Sequence, residues 1–203
     1  MKRITTSSDE EILDNLQQWF NRSSRANRKA GKAWYKDAQS FTKRISKKYG
    51  IDRDAVAGIL SALSPNNKWD RNKYDAEQII IHHQRGFKTC TGIKVCTYNA
   101  NKEKAWKIIK EGRSIITAKS PKTHAFAMNV GRLSPKHVTI DKWHIRACLC
   151  NPGQGIVPTA ETVTPIQYRR VEALTTEIAE EQKMKAYELQ AIIWLTIKEA
   201  WNR

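Results

Sequence analysis

Two residues have the types and the spacing to do chemistry together. Lys122 and Asp141 stand 19 positions apart (141 − 122), and each falls where a helix should begin. In SPKTHAFAMNVG, Ser120 suits an N-cap, Pro121 suits the first helical position, Lys122 follows, and Gly131 can end the helix. In VTIDKWHIRACL, Val138 to Ile140 reads as a short extended piece and Asp141 takes the N-cap place. Trp143, Ile145, Ala147, Cys148 and Leu149 then fill the second helix. A lysine at a helix start opposes the helix dipole by roughly 0.3–1 kcal/mol, and that field favours the neutral, nucleophilic form of an amine. A carboxylate suits the same field and caps the helix. An amine of this kind can attack an electrophilic carbon, and a carboxylate can stabilise positive charge developing there. Two positive helix ends would attract a neighbouring phosphate.

These residues carry a family resemblance. SPKTHAFAMNV followed by VTIDKWHIRACL resembles the core of the helix-hairpin-helix DNA glycosylase superfamily, of the endonuclease III and 8-oxoguanine glycosylase type. In that family a lysine opens the helix after the hairpin, and an aspartate follows after a short extended piece. Lys122 and Asp141 fall on those positions. Upstream, Gly58 to Ser64 is similar to the helix that ends before the family's DNA-wedging loop; downstream, Ala186 to Trp194 is similar to its late core helix. Where the family's hairpin usually has glycines, this chain has Thr117-Ala118-Lys119-Ser120-Pro121. The resemblance implies a two-lobed, all-α fold with a central cleft. It also implies a glycosylase with lyase activity, in which Lys122 attacks C1′ of the sugar as a damaged or modified base leaves. Asp141 would stabilise the charge on the sugar. This chemistry needs no cofactor. Some relatives hold an iron–sulfur cluster on four closely spaced C-terminal cysteines, and the last fifty residues here contain no cysteine.

Composition agrees with a nucleic-acid partner. Among 203 residues, Lys and Arg number 36 against 20 Asp and Glu, a net charge of +16. That excess points to a polyanion, first of all double-stranded DNA. No apolar run approaches the ~20 residues that span a bilayer, so no membrane partner is expected. MKRITTSSDEEILD lacks the apolar core of a secretory signal, and the four cysteines form no C-x-x-C pair. A reducing cytoplasm, with the protein nucleoid-associated, and a monomer are therefore expected. His144 and Cys148 share a helix face, but buried free cysteine is the simpler reading and no metal site is expected.

The elements that must position the pair read as about nine helices without alternating strands. Residues 1–8 read as a flexible tail, and 9–203 as a single all-helical domain. Asn151-Pro-Gly-Gln-Gly155 opens a loop that runs to Thr164. Ser64-Pro65-Asn66-Asn67 breaks a helix and begins a polar, basic loop with an aromatic. Asn66, Asn67, Lys68, Trp69 and Arg71 are candidates to enter DNA there, Trp69 being also a candidate for the core. Lys119, Ser120, Thr123, His124, Lys136, Lys142 and Arg146 flank the lysine–aspartate pair and are candidate phosphate contacts. Two other functions fit the same residues: a viral base-hypermodification enzyme on the same scaffold, and a non-catalytic DNA-binding protein that needs only the charge.

Overall fold

Apolar stripes at helical spacing, closed by caps and glycines, produce helices throughout. The computed structural model describes residues 3–112, 114–132, 134–153 and 163–201. Among these residues there are nine helices and no strand: α1 Asp9–Arg22, α2 Arg25–Tyr49, α3 Arg53–Leu63, α4 Trp69–Gln84, α5 Asn99–Glu111, α6 Pro121–Arg132, α7 Lys142–Leu149, α8 Pro165–Glu181 and α9 Ala186–Trp201. The fold is all-α. Local chemistry sets the ends. Ser8 caps α1 by accepting from the Glu11 amide, Thr164 and Gln167 form a capping box on α8, and Gly112 closes α5 in the left-handed conformation (φ 70°). Among the described residues, no helix is long and apolar enough to cross a membrane.

The sequence reads as one domain, whereas the contacts divide it into two compact units. Unit 1 is Met1–Asp37 with Ser134–Arg203, and unit 2 is Ala38–Leu133. The division falls inside α2.

Unit 2 is built on α3, whose residues Ala55 to Leu63 are all buried. Its small residues let α6 approach closely. A Cβ added at Gly131 would lie 3.0 Å from the Ala57 Cβ, tighter than ordinary packing. Polar side chains of α3 hold α6 along its length. The Ser61 hydroxyl donates to the Thr123 carbonyl (2.5 Å), the Arg53 Nε donates to the Gly131 carbonyl (3.1 Å), and Arg132 pairs with Asp54.

Unit 1 is built on α9, whose Leu189, Ile192, Ile193 and Ile197 have no exposure, and on α1, which buries Ile12, Leu16, Trp19 and Phe20. Trp34 and Trp194 meet edge to face, as do Tyr35 and Tyr187. The short α7 is satisfied by side chains from α1. Asn15 Nδ2 donates to the Cys148 carbonyl (2.9 Å) and Trp19 Nε1 to the Cys150 carbonyl (2.6 Å). These bonds answer carbonyls that a helix end leaves without intrahelical partners.

One expectation changes here. Residues 3–8 are not a loose tail. Ile4 is 3% exposed, and Arg170 of α8 donates to the carbonyls of Ile4 and Ser7 and to the Asp9 carboxylate. The apolar side chain and the guanidinium anchor the segment, and a polar sequence does not advertise either. The backbone of residues 138–140 is held by α8. Tyr168 Oη donates to the Val138 carbonyl and accepts from the Ile140 amide, while the Val138 amide donates to Glu172. Side chains of α8 satisfy this backbone. Most of the loop expected from Asn151 to Thr164 lies outside the described residues.

Candidate nucleic-acid site

Lys122 is the second residue of α6 and is exposed. No described residue accepts a hydrogen bond from its amine or pairs with it in a salt bridge. The start of its helix is formed by backbone: the Ser120 carbonyl accepts from the His124 amide (2.9 Å) and from the Thr123 hydroxyl (3.0 Å). Ser120 and Lys119 are exposed; Thr123 and His124 are half-buried. The carbonyl of Thr123, next to Lys122, is the one held by Ser61. The lysine thus stands on a fixed backbone with its side chain exposed.

Asp141 is built in. It caps α7 with Oδ1, which accepts from the amides of Trp143 (3.0 Å) and His144 (2.9 Å). Behind this cap His144 is fully buried. The Thr175 hydroxyl donates to the Val171 carbonyl (2.7 Å), so the His144 ring donates from Nε2 to that same hydroxyl (2.9 Å). Nδ1 is then the unprotonated nitrogen, and burial pushes the imidazole down to about 3. His144 is therefore neutral over the physiological range. Lys122 belongs to unit 2 and Asp141 to unit 1.

The flanking basic residues differ among themselves. Lys136 and Lys142 are exposed, as a phosphate contact requires. Burial and the neighbouring Lys136 charge lower the His137 imidazole. Arg146 is only half-buried, and its guanidinium lies against two rings, 4.7 Å from the centroid of Trp143 and 5.0 Å from that of Trp201. That stacking uses the arginine in packing.

The loop after α3 separates into roles in the same way. Asn66 is exposed and left-handed (φ 55°), a conformation asparagine tolerates, and its amide donates to the Tyr98 hydroxyl (2.7 Å). Asn67 donates to the Leu63 carbonyl (3.2 Å) and to Asp75 Oδ2 (3.0 Å), so its amide serves the loop. Lys68 is exposed at the N-cap of α4 and makes no side-chain cap. Trp69 is half-buried and edge-on to Phe41 and Phe126, a packing position. Arg71 donates from Nε to Asp75 Oδ1 (2.7 Å) with its side chain 46% exposed.

Asp75 joins these pieces. Its side chain has no exposure, and besides Asn67 and Arg71 it accepts from the Cys96 amide (2.7 Å). One carboxylate thus ties together the 64–68 loop, α4 and the 86–98 segment. The sequence reading passed over it. The signal was present in the i, i+4 spacing of Arg71 and Asp75, but this spacing usually marks a solvent-facing pair. Beside it α4 and residues 92–94 enclose a groove of about 400 Å³, lined by Arg71, Tyr74, Gln78, Ile81, His82, Arg85, Gly92, Ile93 and Lys94. The reading missed this groove as well, since an irregular segment has no periodicity that would say which residues face α4. Among the described residues no group of three or more His, Cys, Asp or Glu could hold a metal ion.

No curated protein and no solved structure matches the chain. A family described as of unknown function (DUF7178) matches over residues 1–201, which take in all nine helices of both units, and the chain belongs to that family.

Proposed function

We propose that this protein is a DNA glycosylase with lyase activity, acting on a damaged or modified base in double-stranded DNA. In this reading the Lys122 amine attacks C1′ of the target nucleotide. The new N–C1′ bond forms as the glycosidic bond breaks. The base leaves with that electron pair and takes up a proton, and ring opening with loss of the amine's proton gives a Schiff base. Asp141 stabilises positive charge on the sugar. The observation that carries the reading is Lys122 itself: an exposed amine at a helix start, with no acceptor among the described residues, on backbone fixed by Ser61. The +16 charge supplies affinity for the phosphates. A panel of duplexes, each with one modified base, tests it by strand cleavage and abasic-site formation. One duplex should be cut, and Lys122→Gln should leave it intact. Full cutting by Lys122→Gln would refute the role.

One observation favours a second reading, a DNA-binding protein without chemistry. Asp141 Oδ1 accepts from the amides of Trp143 and His144, which is the work of a capping aspartate. Under that reading no duplex of the panel is cut, and affinity falls steeply with salt for all of them alike.

A further inference from the structure

The groove beside α4 has a composition that duplex recognition does not call for. No acidic side chain lines it, while Arg71, Arg85 and Lys94 do. Arg85 and Lys94 are exposed, and neither has an ion-pair partner among the described residues. Arg71 is oriented instead: its Nε is held by the buried Asp75, and no described residue accepts from its terminal nitrogens. A guanidinium fixed by its inner nitrogen presents its outer donors to a phosphate without further ordering.

Aromatic faces accompany these cations. Among the described residues five large hydrophobic side chains are exposed, and three of them belong to unit 2: Tyr74 (54%), which lines the groove, Phe87 (52%), which stacks on the His82 ring that lines it, and Tyr98 (63%), whose hydroxyl accepts from Asn66. All three are aromatic, and the Arg71 guanidinium lies 5.2 Å from the Tyr74 ring centroid. Exposing large rings has a solvation cost that charged neighbours do not remove. Rings interleaved with cations are what an unpaired nucleic-acid strand requires, because each base offers a flat face and each linkage a negative charge. The volume, about 400 Å³, suits a small ligand or a nucleotide unit and not a double helix. An acidic peptide would meet the charge and leave the rings unused.

We infer that the groove between α4 and residues 92–94 binds an unpaired single strand of nucleic acid, a base stacking on Tyr74 and the adjacent phosphates meeting Arg71, Arg85 and Lys94. This goes beyond the glycosylase reading and makes no use of Lys122. The strand is defined by base faces and phosphodiesters, which DNA and RNA share.

The test is a fluorescence-anisotropy titration of the full chain with oligothymidylate and with oligouridylate of equal length, the tighter one identifying the strand. A fully paired duplex and polyglutamate serve as competitors. Tyr74→Ala should weaken single-strand binding by about tenfold. Tyr74→Phe, which keeps the face, should restore it. Arg85→Ala and Lys94→Ala should each lower the slope of log affinity against log salt by about 0.7, one phosphate contact on a single strand. Lys29→Ala, an exposed cation of unit 1, and Lys122→Gln should change single-strand affinity little. Because Tyr74 is exposed, its variants should melt like the parent, which thermal unfolding checks. The inference is overturned if Tyr74→Ala binds as tightly as the parent, if Lys29→Ala costs as much as Arg85→Ala, or if polyglutamate displaces the strand as well as unlabelled strand does. Loss of base excision in Lys122→Gln with single-strand binding intact would leave the two proposals separately standing.

Discussion

The starts of α6 and α7 look alike in sequence and are used differently. Each opens a helix after a short connector, and each carries one ionisable residue with a bearing on chemistry. At α6 the ionisable group is idle in the fold: Lys122 is exposed, and the helix is held by Ser61, Arg53 and the close approach at Gly131. At α7 the ionisable group is the fold: Asp141 caps the helix, and the residue that it caps, His144, is buried and bonded to Thr175. An exposed lysine at a helix start can be replaced with little effect on stability, beyond the few tenths of a kcal/mol to about 1 kcal/mol by which its charge opposes the helix dipole. An aspartate that caps must be replaced twice, once removing the cap and once keeping it, before structure and chemistry separate.

The largest effect should come from breaking what holds α6. Gly131→Val adds two methyl groups beyond a Cβ that would already lie 3.0 Å from that of Ala57. Overpacking of this kind should destabilise by about 3 kcal/mol, read by urea unfolding. An unchanged midpoint would show that α6 is free to move, and the fixed backbone under Lys122 would be lost from the account.

Next is the pH response of α7. His144 has a folded value of about 3 against an ordinary 6.5. Its contribution is fully present above 6.5. Below that, the unfolded chain takes up a proton that the native one refuses, and stability declines until the pH reaches about 3. Between pH 7 and pH 5 this residue alone should remove about 2 kcal/mol. Unfolding of the parent and of His144→Gln at the two pH values isolates the effect, since the variant should lose about 2 kcal/mol less over that interval.

Smaller still is the cap. Asp141→Ala should cost about 1 kcal/mol, whereas Asp141→Asn, an equally good N-cap, should cost at most a few tenths. Thermal unfolding checks both. If Asp141 also acts on the sugar, Asp141→Asn melts like the parent yet excises poorly, because only its charge is gone. Normal excision by that variant would reduce Asp141 to a cap.

Most of the helices were legible because their signals are local. Asp141 caps α7 where its type and place said it would, and Ser8, Thr164 and Gly112 close their helices by equally local chemistry. Side chains that reach across the sequence were not legible. Nothing near Arg170 says that it anchors residues 4–9, nothing near Trp19 says that its indole ends α7, and Arg146 gives no sign of lying against Trp201. For the same reason Asn67 reads as a candidate for DNA, while its amide is bonded to an aspartate eight residues on. The groove depends on how residues 92–94 return to α4, and one buried carboxylate decides that.

The central claim is that Lys122 is a nucleophile, and borohydride trapping tests it most directly. The protein is incubated with the duplex identified by the panel, reduced, and resolved by denaturing electrophoresis. The parent should give a stable protein–DNA crosslink, because borohydride reduces a Schiff base to an amine. Lys122→Gln should give no crosslink while its melting temperature and duplex affinity stay close to the parent's. A crosslink of undiminished yield in Lys122→Gln would place the attacking amine elsewhere and contradict the account.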